Sequence, residues 1–138
     1  MWWRKKKLAV VVTCADWRLH RRPVDFVGRI GRMVDATVSD LLALPGPDGL
    51  CLESRARDWE SVKDWAKLLA GAHHAEVLAV VAHQKCAGHP VSDEEHEKDV
   101  VTVTRALKQA LAFDGPAYAI VAVHRSDTNW GLKQIAKL

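Results

Sequence analysis

A chain of 138 residues with a formal net charge of +3 has the length of one domain, and residues 1–138 are read as a single domain. About half of it (49%) is hydrophobic, enough for a core, yet no apolar run reaches the roughly 18–20 residues of a membrane helix. Leu8–Val12 is too short an apolar stretch for an export signal, so the expectation is a cytoplasmic protein with no membrane partner.

The other bulk features narrow the classes further. Seventeen acidic residues lie among 20 basic ones, and aromatic residues do not alternate with the basic ones. No nucleic-acid platform is expected from that pattern; of the two basic clusters, Arg4–Lys7 and Arg18, Arg21, Arg22, the first reads as a solvated N-terminus. Three cysteines, an odd number, argue against a disulfide framework.

In chain order, Leu8–Thr13 is a continuous β-branched run, the pattern of a strand buried on both faces. Pro23 can start a helix that places Phe26, Ile30 and Met33 on one face, although Gly28 and Gly31 weaken it. Asp40–Leu44 reads as a second strand ended by the turn chemistry of Pro45-Gly46-Pro47-Asp48-Gly49. Cys51, between Leu50 and Leu52, reads as a small buried hydrophobe.

From Asp58 to Ala70 the stripe Trp59, Val62, Trp65, Ala66, Leu69 marks an amphipathic helix, with Asp58 as N-cap and Gly71 as stop. His73 and His74 are expected at its C-terminal end, where they meet the helix dipole. Val77–Ala82 is a third strand. Ser92 or Asp93 caps a helix to about Ala112, and Ala117–Val123 is a fourth strand. The segment Asn129–Leu138 is ambiguous. Strands alternating with helices give an α/β fold: a parallel-sheet core of about four strands with flanking helices. Such sheets bind ligands beyond the C-terminal ends of their strands.

Two strand ends carry the chemistry. The first runs into Cys14-Ala15-Asp16-Trp17-Arg18 and the third into His83-Gln84-Lys85-Cys86. If those strands are neighbours, Cys14, His83 and Cys86 meet. Two thiolates and an imidazole suit zinc, and three protein ligands leave its fourth tetrahedral position open for water. Zinc lowers the pKa of such water from about 15.7 to around 7, so zinc hydroxide is available at neutral pH. In an extended segment Asp16 and Arg18 point the same way. Arg18 then holds Asp16 ionised, and Asp16 orients the water. His89 is a candidate proton shuttle, because imidazole titrates near neutral pH.

The paired motif Cys14-x-Asp16-x-Arg18 and His83-x-x-Cys86 resembles the beta-class carbonic anhydrases, as does the order of strands and helices from Leu8 to about Val123. The resemblance implies a zinc lyase of the carbonate dehydratase type. Its ligands would be Cys14, His83 and Cys86, its catalytic dyad Asp16 and Arg18, and its reaction the reversible hydration of carbon dioxide to bicarbonate. It also implies a homodimer or higher homo-oligomer, and Trp2, Trp3 and Trp130 are candidates for that interface.

The chain departs from the family pattern in places. Leu44-Pro45-Gly46-Pro47-Asp48-Gly49 stands where the family often has Arg-Asn-Ala-Gly, and Ala82 stands where a glycine often precedes the ligand histidine. Almost nothing precedes the first strand, where the family usually has helices that wrap a partner. Hydrolysis of carbonyl sulfide or carbon disulfide on the same site, and a non-catalytic zinc-binding regulatory module, are the alternatives.

Overall fold

An unbroken run of buried residues from Ala9 to Thr13 sets the architecture. The computed structural model describes residues 6–138, except the side chain of Pro23. Trp2, Trp3, Arg4 and Lys5 lie outside the described residues, and with them part of the basic run and of the expected dimer interface. The elements are β1 (Leu8–Thr13), α1 (Phe26–Met33), β2 (Val38–Ala43), α2 (Ala56–Ala72), β3 (Val77–His83), α3 (Asp93–Ala110), β4 (Ala117–Ser126) and β5 (Asn129–Lys137). They form one five-stranded sheet in the order β2-β1-β3-β4-β5. The first four strands are parallel, and β5 returns antiparallel on β4.

Successive β-strand side chains point to opposite faces, and both faces of β1 are covered. Ala9 and Val11 join Phe26 and Ile30 of α1 in one cluster. Val10 and Val12 join Val62 and Ala66 of α2 and Val100, Val103 and Leu107 of α3 in the other. All seven residues of β3 are buried, which is why its sequence reads as an unbroken apolar run. Burying each such Val or Leu contributes about 1.5–3 kcal/mol before conformational entropy is set against it.

The helices begin and end for identifiable reasons. Ser92 caps α3 by accepting the Glu95 amide at 3.1 Å, and Asp93, Glu94 and Glu95 fill its first turn. Helix α2 starts earlier than its sequence pattern indicates. Asp58 is not its cap but sits in the first turn, where Arg55 Nε donates to Oδ2 at 2.6 Å. Gly71 does not stop it either. The chain leaves the helix at His74, which has φ of 55°, and the Ala75 amide closes back on Ala70 O at 3.0 Å. The neighbouring His73 bonds Asp40 Oδ2 at 2.6 Å through Nδ1, so its partner is a carboxylate on β2 rather than the helix end alone.

The ambiguous C-terminal segment is β5. Its register shifts between Ala119 and Ile120 of β4, so Ala136 and Gln134 face consecutive partners. The irregularity breaks the period-two pattern that would have marked a strand. Two other expectations are corrected. Cys51 is exposed, because the buried side chain of this turn is Leu50. Trp130 is 1% exposed and packs in the core with α1, because β5 carries it onto that face of the sheet. Among the described residues, no helix is long and apolar enough to cross a membrane.

Candidate metal centre

The strand order makes β1 and β3 parallel neighbours, with Val12 opposite Val80. Chain connectivity diverges to either side of this pair, the switch point at which open α/β sheets form their sites. Cys14 directly follows β1, His83 ends β3, and Cys86 lies one turn further on.

The Sγ atoms of Cys14 and Cys86 are 3.9 Å apart, and both residues are buried. One ligand atom from each of Cys14, His83 and Cys86 lies within 4.8 Å of the others. Zinc–sulfur bonds of about 2.3 Å at a tetrahedral angle put two sulfurs about 3.8 Å apart, close to the observed spacing. His83 Nδ1 donates to Gln84 O at 2.7 Å, because a carbonyl can only accept. That leaves Nε2 buried with no oxygen or nitrogen to bond. An orphaned imidazole lone pair beside two thiols fits a divalent, thiophilic cation.

The local electrostatics point the same way. A hydrogen bond from Cys86 holds the Cys14 thiol well below the ordinary thiol pKa against the opposing effect of burial, and His83 and the Gly46 amide add to it. The same bond, with burial, pushes Cys86 far up, while the amides of His89 and Gly88 oppose that. The hydrogen bond between the two sulfurs thus favours the thiolate at one and the thiol at the other. Burial disfavours charge on His83, but the neighbouring Cys14 holds its pKa above the ordinary value. A divalent cation displaces such protons and takes their place.

Asp16 and Arg18 meet, but not in an extended segment. The chain turns after Asp16: Asp16 Oδ1 accepts the Arg18 amide at 2.9 Å, and Leu19 N bonds Asp16 O at 3.1 Å. Arg18 then grips the carboxylate with Nε at 3.1 and 3.2 Å and Nη2 at 2.7 Å. These bonds, with burial opposing, hold the Asp16 carboxyl below the usual carboxylate range. Its Oδ2 lies 3.8 Å from His83 Nε2, on the metal side of the pair.

Several residues that hold this arrangement are not visible in the motifs. Arg18 Nη2 also donates to Lys85 O at 2.9 Å, and Lys85 adopts a left-handed backbone with φ of 58°. Asp127 Oδ1 lies 3.4 Å from Arg18 Nη1. The Trp130 ring lies 5.5 Å from the Arg18 guanidinium carbon and meets the His83 ring edge-on at 5.6 Å. His20 Nε2 donates to Cys14 O at 2.8 Å. Gln84 Oε1 accepts the His124 amide at 3.0 Å. Nothing near Trp130 or Asp127 in sequence signals their place, since both reach the site through the β4–β5 hairpin. His89 is not one of the three converging residues. It is buried, with Nε2 2.7 Å from Asp99 Oδ2.

These features define an α/β protein with a candidate Cys2His metal centre at the switch point of a mostly parallel sheet. Comparison with protein families finds a match over residues 4–136 to the family described as "Putative carbonic anhydrase", and the chain belongs to that family. No curated protein matches the chain.

Proposed function

We propose that the chain binds one zinc ion through Cys14, His83 and Cys86 and catalyses the reversible hydration of carbon dioxide to bicarbonate. The observation that carries this reading is the orphaned His83 Nε2, buried beside two thiols and 3.8 Å from a carboxylate locked by Arg18. When bound, zinc supplies the Lewis acidity that makes hydroxide available near neutral pH.

The chain's own residues do the rest. Arg18 keeps Asp16 ionised and fixed. Asp16 Oδ2 is then a hydrogen-bond acceptor that orients the attacking water toward the carbon of carbon dioxide. A carbon–oxygen bond forms, one carbon–oxygen π bond opens, and the proton of the added water passes to buffer. His89 is the proposed carrier of that proton, with Asp99 as its next acceptor. Trp130 and the apolar ends of β1 and β3 back the site with dry surface.

The same residues can serve carbonyl sulfide or carbon disulfide, so the test measures these substrates together. Zinc content, carbon dioxide hydration and sulfide release are followed on one sample. One zinc per chain with hydration supports the reading. Zinc with sulfide release alone moves the substrate, and zinc with neither leaves a binding module.

We also read the chain as one cytoplasmic domain that works as a homodimer without nucleic acid or membrane. Leu41 is an exposed apolar side chain on the edge strand β2, which a second copy seated on that edge would cover. Sedimentation across a concentration series checks the dimer.

A further inference from the structure

A second buried polar cluster lies in the loops beside the candidate metal centre, and neither motif contains any of its residues. Asp48 and His96 are almost wholly buried, and His89 nearly so. His96 Nδ1 on α3 bonds Asp48 Oδ2, in the turn after β2, at 2.6 Å. One helical turn on, Asp99 Oδ2 bonds His89 Nε2, in the loop after β3, at 2.7 Å. The two imidazoles meet edge to face at 5.8 Å, and His89 Nε2 is 4.0 Å from Asp48 Oδ2. Asp48 Oδ1 and His96 Nε2 are buried with no partner. Unpaired polar atoms are costly to bury, so a cluster that leaves two of them unpaired calls for an explanation.

The two loops held by this cluster are the ones that cradle the sulfurs. The Gly46 amide serves Cys14, and the Gly88 and His89 amides serve Cys86. The loops also interlock. A Cβ on Gly46 would lie 2.6 Å from Gly88 C, one on Gly88 2.7 Å from Gly46 N, and one on Gly49 2.8 Å from His89 Nδ1. From the other side, Arg55 holds the first loop through Pro45 O at 2.6 Å and Gly46 O at 3.1 Å.

We propose that His96–Asp48 and His89–Asp99 form a clamp by which α3 positions the loops Pro45–Gly49 and Cys86–His89, and so sets how tightly Cys14 and Cys86 hold a thiophilic divalent metal. The proposal rests on the metal reading above. None of the four side chains belongs to the converging ligand group. Apart from the proton role proposed for His89 and Asp99, the four act as positioning residues through the amides of Gly46, Gly88 and His89.

The test compares wild type with Asp99→Ala, Asp99→Asn and Asp48→Ala. Dissociation constants for zinc and cobalt(II) are measured by chelator competition, with the visible spectrum of the cobalt-loaded protein. Amide exchange is measured on the metal-free protein. The Asp99 side chain is 28% exposed, so its replacement spares the core even where Asp48→Ala fails to fold. The expected result for Asp99→Ala is binding about 10- to 100-fold weaker. The cobalt spectrum should alter, and exchange should speed up at Gly46, Gly88 and His89 while β3 stays protected. Asp99→Asn should recover most of the affinity, since its amide oxygen still accepts from His89.

Wild-type affinity in Asp99→Ala overturns the clamp. So does exchange that quickens uniformly, β3 included, because that marks general loosening. A wild-type protein that takes up neither metal overturns the metal reading itself.

Discussion

Arg18 holds Asp16 by both carboxylate oxygens, with Nη2 2.7 Å from Oδ2 and Nε 3.1 Å from Oδ1. The guanidinium is itself fixed by Lys85 O and Asp127 and lies over Trp130. Asp16 is thus constrained from a side that the metal ligands do not touch, and the two functions can be separated by mutation.

Asp16→Asn should keep zinc and lose turnover by about 10²-fold or more, the range for removing a positioned acid–base group. Metal analysis and hydration rates on the same sample check it. Near-normal turnover would remove Asp16 from the mechanism.

Arg18→Ala should lower turnover and move its acid limb. Arg18 depresses the Asp16 pKa, and the working form is the carboxylate. The wild-type acid limb should therefore be the loss of hydroxide near neutral pH, with Asp16 still ionised below it. Removing the Arg18 cation disfavours both the carboxylate and the hydroxide beside it. Without Arg18 that loss should begin at higher pH. A kcat/KM profile with an unmoved acid limb would contradict the assignment. Arg18→Lys should not restore the wild-type profile, since an ammonium cannot reproduce the fork.

Cys86→Ser should lose zinc, because a hydroxyl is a poor replacement for a buried thiolate. A variant that still carries one zinc per chain would show that Cys86 is not a ligand.

Trp130→Ala should cost about 3–5 kcal/mol in denaturant unfolding, the range for truncating a buried aromatic. Trp130→Phe should cost less. The indole Nε1 already lacks a hydrogen-bond partner, so its removal forfeits only packing.

Gly46→Ala should destabilise by at least about 1–2 kcal/mol from its left-handed backbone alone. Gly46 has φ of 50°, and a Cβ there would press on the backbone of Gly88. The same variant should weaken zinc binding, as the Gly46 amide lies beside Cys14. Unfolding curves and chelator competition check both effects.

Much of this molecule can be read locally. Apolar runs mark β1 and β3, and the polar residues where they stop are Cys14 and His83. Side-chain periodicity is a property of neighbouring residues, so it survives without knowledge of the fold. The same holds for α3, where Ser92 and the acidic first turn mark the start.

Pairings across distant parts of the chain were settled only by the tertiary structure. Asp48 and His96 are 48 residues apart in sequence, and Arg29 and Trp130, joined by a hydrogen bond to the Trp130 carbonyl, are 101 apart. No short-range pattern carries such contacts. Exposure of Cys51 and burial of Trp130 likewise depend on which elements come to lie above them. The sequence alone determined which residue types could meet a metal and at which strand ends they stand. The strand order, with β1 beside β3, decided that they do meet, and the packing of α3 and the β4–β5 hairpin decided what holds them. The physical reason is that a donor set is a matter of local chemistry, whereas its convergence depends on the free energy of the whole packed sheet.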